Sequence, residues 1–163
     1  MARLLFAALL AFAVFSQTVI LPSLHLIQVL PDVSLVLLLV WSAILGLPEG
    51  LVWAFGLGIL FDVLALDPMG TNALAFLGVA LLGGLARRRF FQSNLVFPIV
   101  LAVAATVVHA VVLLLMRSSD GTGLPLASVS RFVFLQALLN SICVPPLYLV
   151  VGAMGRRTVI RRV

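Results

Sequence analysis

Residues 95–116, LVFPIVLAVAATVVHAVVLLLM, contain no Asp, Glu, Lys or Arg. A helix over them would be about 33 Å long at 1.5 Å per residue, close to the roughly 30 Å hydrocarbon thickness of a bilayer. In water such a helix would be apolar on every side. The run is not isolated, because the chain is 64% hydrophobic and 9% charged, with a mean hydropathy of +1.32. Lipid is the solvent that suits this composition. Helices are the form, since they satisfy their backbone hydrogen bonds internally. An all-α integral membrane protein is expected, as one transmembrane domain over residues 1–163.

Proline, glycine and acidic residues divide the chain into six expected helices, at about 4–21, 33–46, 48–66, 68–86, 95–116 and 132–154. Pro22 ends the first run, and Ser16-Gln17-Thr18 lacks the small-x-small pattern of a cleavage site, so it is read as a retained helix. Residues 22–31 lie between Pro22 and Pro31 and include Ser23, His25 and Gln28. They are too short to span and read as an interfacial or re-entrant piece. Asp32 stands where an N-cap belongs, and Gly46 suits the other end of a short second helix. That helix requires either a thinned bilayer or extension by its caps. Pro48-Glu49 opens the third helix. Asp67-Pro68 repeats the device, with Asp67 as N-cap and Pro68 as first residue of the fourth. The close spacing of helices two to four leaves room for one re-entrant pair.

All ten basic residues are arginines. Soluble proteins this basic suggest nucleic acid, but here the arginines sit at the ends of apolar runs and read as topology signals. With six spans, Arg3, Arg87, Arg88, Arg89, Arg156, Arg157, Arg161 and Arg162 share one side, and Arg117 and Arg131 the other. Eight against two places both termini in the cytoplasm by the positive-inside rule. The basic tail could also touch anionic lipid, although topology is the simpler reading.

Four of the five carboxylates fall between Asp32 and Asp67: Asp32, Glu49, Asp62 and Asp67. Gly50, Ala54, Gly58 and Asp62 recur every fourth residue along one face of the third helix. Small residues at this step let another helix approach closely, from a partner or from the same chain. Asp62 at membrane depth must face protein or water. It could bond Thr71 or Asn72 across the turn, pair with a partner, or belong to an ion path. His25 and His109 are the only histidines and Cys143 the only cysteine. No metal site or cofactor is expected. His109 is read as a structural histidine bonded to Asn140 or Gln136, and Gln17 and Ser141 as interhelical hydrogen-bonding groups. There is no Gly-x-Ser-x-Gly elbow, HExxH or P-loop, and no base beside Ser23, Ser128 or Ser130. An enzyme is not expected.

Pro31-Asp32, the glycine-laced third helix ending in Asp62, and the turn Pro68-x-Gly70-x-Asn72-Ala73-Leu74 together resemble the rod shape-determining protein MreD family of bacteria. The order of elements matches over nearly the whole chain, and the most specific stretch is GLGILFDVLALDPMGTNAL, residues 56–74. The resemblance implies a six-helix, non-enzymatic subunit of the inner-membrane rod complex that directs lateral peptidoglycan synthesis. It further implies association with the single-pass protein MreC, and through it with MreB, RodA and its penicillin-binding transpeptidase. It also implies a fold similar to the S-components of energy-coupling-factor vitamin transporters. On this reading the 50–62 stripe and the turn at 67–72 form or brace the surface for the MreC transmembrane helix, and Gly58→Leu should release MreC from a protein that still inserts. The alternative is a substrate-binding subunit of a small-molecule transporter, for which Ala7 and Ala11 supply one small-x-x-x-small step. The sequence does not decide whether copies form a homo-oligomer, or whether a lipid lies between helices.

Overall fold

The computed structural model describes residues 2–20, 30–90, 96–118 and 126–159. Among them are six α-helices: α1 Ala2–Phe15, continued by a π-helical segment Ser16–Ile20, α2 Val33–Leu45, α3 Leu47–Ala65, α4 Thr71–Phe90, α5 Val96–Ser118 and α6 Leu126–Val159. The described residues contain no strand. Most of the 22–31 segment lies outside them, with His25, as do the 119–125 loop and the end of the tail with Arg161 and Arg162.

Helix α2 is the centre of the bundle. Every residue from Ser34 to Ile44 is buried, as a helix apolar on all sides requires. It touches α1, α3, α4, α5 and α6, and these five close a ring around it in the order α1, α3, α4, α5, α6. This position accounts for its length. At 13 residues it is only about 20 Å long, but its neighbours are protein and it has no hydrocarbon thickness to match. A thinned bilayer is not needed. Asp32 caps it as expected, its Oδ1 accepting from the Leu35 N–H at 2.9 Å. At the other end the Gly46 N–H donates to the Ser42 carbonyl at 2.8 Å. Gly46 has φ +101°, a conformation L side chains rarely adopt, and it lets α3 restart after a single residue.

Among the described residues, three helices are long and apolar enough to cross a membrane, over residues 47–65, 96–116 and 129–151. The shorter apolar helices are Arg3–Val19, Val33–Leu45 and Thr71–Arg87. The fourth and sixth helices differ from the sequence reading at both ends, α4 continuing to Phe90 where 86 is expected. Helix α6 begins at Leu126, not 132, and runs through Arg131 and through Pro145 and Pro146 to Val159. Helix α4 begins at Thr71, not at Pro68, because residues 66–70 are needed to reverse the chain.

Small residues set the close spacing of α2, α3 and α4. A Cβ on Gly50 would overlap the Ser42 side chain, and one on Gly58 would overlap the backbone of Ala73. A Cβ on Gly83 would lie 2.7 Å from the Leu39 carbonyl oxygen. The Ser42 hydroxyl donates to the Ala80 carbonyl at 2.7 Å, tying α2 to α4. On the other flank, Phe6 of α1 stacks on Trp41 of α2 with centroids 3.8 Å apart, and meets Trp53 of α3 edge-on at 5.3 Å. The Arg3 guanidinium donates to the Glu49 carboxylate at the same end.

Gly58→Ala should therefore destabilise the protein. The added methyl meets backbone, which cannot rotate away, so the overpacking cost is about 1–3 kcal/mol. Thermal unfolding in detergent should show a lowered midpoint for Gly58→Ala and almost no change for Gly56→Ala, whose Cβ would meet nothing within 4 Å.

Candidate functional site: the α3–α4 turn and the stripe beneath it

Helix α3 ends at Leu66, which takes the left-handed conformation at φ 57° and ψ 30°. The Leu66 and Asp67 N–H groups both donate to the Asp62 carbonyl, so the last turn closes on itself. The chain then reverses through Pro68, Met69 and Gly70, with Gly70 at φ +97° and the Thr71 N–H donating to the Pro68 carbonyl at 3.2 Å. This leaves the first N–H groups of α4 pointing back toward α3 without intrahelical acceptors.

Asp62 meets them. Its Oδ2 accepts from the Gly70 N–H at 2.8 Å, and its Oδ1 from the Asn72 N–H at 2.9 Å. The Asn72 Nδ2 donates to Asp62 Oδ1 at 2.9 Å and to Asp67 Oδ2 at 3.0 Å. One carboxylate, 1% exposed, thus caps the helix that follows its own and places its charge at that helix's positive end. Asn72 is the partner expected across the turn. The Asp67-Pro68 pair departs from its expected role as cap and first residue of α4. Instead Asp67 accepts from the Asn72 side chain, and Pro68 lies in the turn.

Beneath this clamp, Gly50, Ala54, Gly58 and Asp62 are all buried. Gly50 faces Ser42 of α2 and Gly58 faces Ala73 of α4. Of the two uses the spacing allows, these contacts are with helices of the same chain, and a partner helix has no room on them. Gly58→Leu would consequently damage the fold, so that variant cannot isolate a contact with a partner helix. At the turn, Leu66 is 91% and Met69 76% exposed.

A second polar network is not legible from the sequence. The Asp32 N–H donates to Asn140 Oδ1 at 2.6 Å, the Asn140 Nδ2 to Thr106 Oγ1 at 2.9 Å, and the Thr106 hydroxyl to the Ala102 carbonyl at 2.8 Å. Gln17 links α1 to the same region. Its Nε2 donates to the Pro31 carbonyl at 3.2 Å, and its Oε1 accepts from the Ser34 hydroxyl at 3.0 Å. These buried amide, hydroxyl and carboxylate groups are paired, as an apolar medium demands, whereas the buried Trp41 Nε1 has no hydrogen-bond partner among the described residues. Asn140, expected to serve His109, bonds Asp32 and Thr106. His109 is buried with its ring 4.8 Å from that of Phe76. Its place beside this network cannot be read from one polar residue per helix. Ser141 bonds its own helix, donating to the Ala137 carbonyl.

The basic residues at the Glu49 end are only partly in view. A Cβ on Gly46 would lie 2.8 Å from Arg87 Nη1, so this guanidinium sits over the α2–α3 corner. With the Arg3–Glu49 pair, it puts the start of α1, that corner and the end of α4 on one face. The side chains of Arg88, Arg89, Arg156 and Arg157 lie outside the described residues. Among the described residues, no group of three His, Cys, Asp or Glu could hold a metal ion.

An all-helical bundle whose long apolar helices face outward and whose polar groups bond one another defines a membrane protein. A sequence model of the rod shape-determining protein MreD family matches residues 1–155, and the chain belongs to that family. It is a rod shape-determining membrane protein. Neither a curated protein nor a solved structure matches it.

Asp62→Ala should leave the Gly70 and Asn72 donors unpaired and lower stability by about 1.5–3 kcal/mol, the range for a hydrogen bond to a charged group. Asp67→Ala removes one acceptor from the partly buried rim and should cost less than half as much. Thermal unfolding of the two variants side by side checks the order.

Proposed function

We propose that this protein is a non-enzymatic scaffold subunit of the bacterial rod complex, crossing the cytoplasmic membrane six times with both termini in the cytoplasm. In this role it binds the transmembrane helix of MreC. Through MreC it connects to MreB, RodA and the penicillin-binding transpeptidase, and so supports lateral peptidoglycan synthesis. The observation that carries the reading is the family match over residues 1–155. The arginine distribution supports the orientation. The interior supports a scaffold, because the conspicuous polar side chains Asp62, Asn72, Asn140 and Thr106 are engaged with one another or with backbone.

Since the 50–62 stripe packs inside the protein, its part in MreC binding is to brace. The turn at 67–72 is then the outward-facing portion that meets the partner, with Met69 and the adjoining Leu66 as its apolar contacts. The clamp on Asp62 holds that turn in one shape, so little ordering entropy is lost on association.

Co-purification with MreC from the same genome in mild detergent tests the proposal. The complex should be retained with full-length MreC and lost when MreC lacks its transmembrane helix. Met69→Arg should reduce recovery of MreC while leaving the thermal midpoint of the free protein unchanged, because that side chain is mostly exposed. Equal recovery with the truncated MreC would overturn helix binding; full recovery with Met69→Arg would remove the turn from the interface.

A further inference from the structure

The end of the bundle away from the Arg3–Glu49 pair holds two buried ionisable groups on different helices. Asp32, at the start of α2, and His109, on α5, are 9% and 8% exposed. Asn140 of α6 ties their helices together. It accepts from the Asp32 N–H at 2.6 Å and donates to the Thr106 hydroxyl at 2.9 Å. Thr106 lies one helical turn before His109, so the two share a face of α5. The charge that acts on the Asp32 carboxylate is that of His109, and it attracts. From the π-helical end of α1, Gln17 fixes the entry to the same point through the Pro31 carbonyl and the Ser34 hydroxyl.

Burial makes such a pair sensitive to protons. A carboxylate enclosed by protein needs both hydrogen bonds and a counter-charge. Asp32 has the Leu35 amide at 2.9 Å and the positive end of α2, but neither carries a full charge. A protonated imidazole does, and histidine is the side chain that gains or loses its proton near neutral pH. The helices packed on α5 are α2, α4 and α6, and none offers a substitute. Helix α4 presents the Phe76 ring to His109 and carries Arg87, Arg88 and Arg89 at its far end. Helix α6 presents Asn140, with Cys143 half-buried a turn later, Tyr148 beyond it, and Arg131 exposed near its start. On α5 itself, Arg117 stands about two turns past His109. We propose that Asp32 and His109 form a buried acid–imidazolium pair that latches α2 to α5 and α6, and that loss of its proton loosens this end of the bundle. As pH rises, His109 releases one proton to solvent, and the carboxylate keeps only its backbone donors. Because α2 touches every other helix, a change at its start reaches the whole bundle.

The test uses the full chain in a neutral detergent, read by thermal midpoint and by NMR of the histidine ring nitrogens, at about pH 6 and about pH 8.5. The midpoint should fall by about 3 °C from the lower pH to the higher, as the imidazolium is lost. His109→Gln and Asp32→Asn should each remove that fall. At the lower pH the double variant should be no less stable than the weaker single one, as for two groups that act as a pair. His25→Gln should keep the full fall. In the unsubstituted protein the His109 ring should carry protons on both nitrogens at the lower pH and on one at the higher. A ring that stays neutral throughout would overturn the pair, even if the variants fail to fold. A fall that survives in His109→Gln, or vanishes in His25→Gln, would assign the proton elsewhere and overturn it as well.

Discussion

A helix that begins against apolar surroundings must find acceptors for its first backbone N–H groups, and in this protein those of α4 find them on the preceding helix. The Asp62 carboxylate takes the amides of Gly70 and Asn72 and one Asn72 side-chain hydrogen. Because Asp62 lies within α3, the bond fixes more than a turn. It sets where α4 starts and how closely it returns along α3, and this brings Ala73 onto Gly58. A side chain at residue 58 and a cap supplied locally by Asp67 would each give a different hairpin.

The same economy governs the centre. Helix α2 is too short to match a bilayer, and it does not have to, because five helices enclose it. Its two ends are finished within the protein, by Asp32 at one and Gly46 at the other. Around it, close approach is achieved by small residues on α3 and α4, and bulk by the Phe6, Trp41 and Trp53 cluster that fastens α1. Dispersion and paired polar groups hold such a bundle, since lipid offers no hydrophobic drive for one helix to bury itself against another.

Much of this is legible in the sequence for simple reasons. Apolar runs report the solvent, the four-residue step from Gly50 to Asp62 reports a close helix contact, and Asp32 before an apolar run reports a cap. What the spacing cannot tell is which helix fills the stripe, because a neighbour from the same chain and a partner leave the same pattern. Asp67-Pro68 marks a false start for α4. It has the local chemistry of a helix N-terminus, but the left-handed Leu66 and the positive φ of Gly70 move that terminus three residues on. In the Asp32–Asn140–Thr106 chain, Asp32 and Asn140 are more than a hundred positions apart, and nothing local marks such a pairing.

For a shape-determining membrane protein, a bundle that engages its Gln17, Asp62, Asn72 and Asn140 side chains internally leaves its outward faces and its rigid turn for assembly. The feature on which this rests is the bond from Asp62 to the start of α4. Amide hydrogen exchange at Gly70 and Asn72, measured by NMR on the protein in a membrane mimetic, reports it directly. Both amides should exchange as slowly as those inside α4 and become fast in Asp62→Ala. Exchange in the unsubstituted protein at the rate of an open turn would contradict the account.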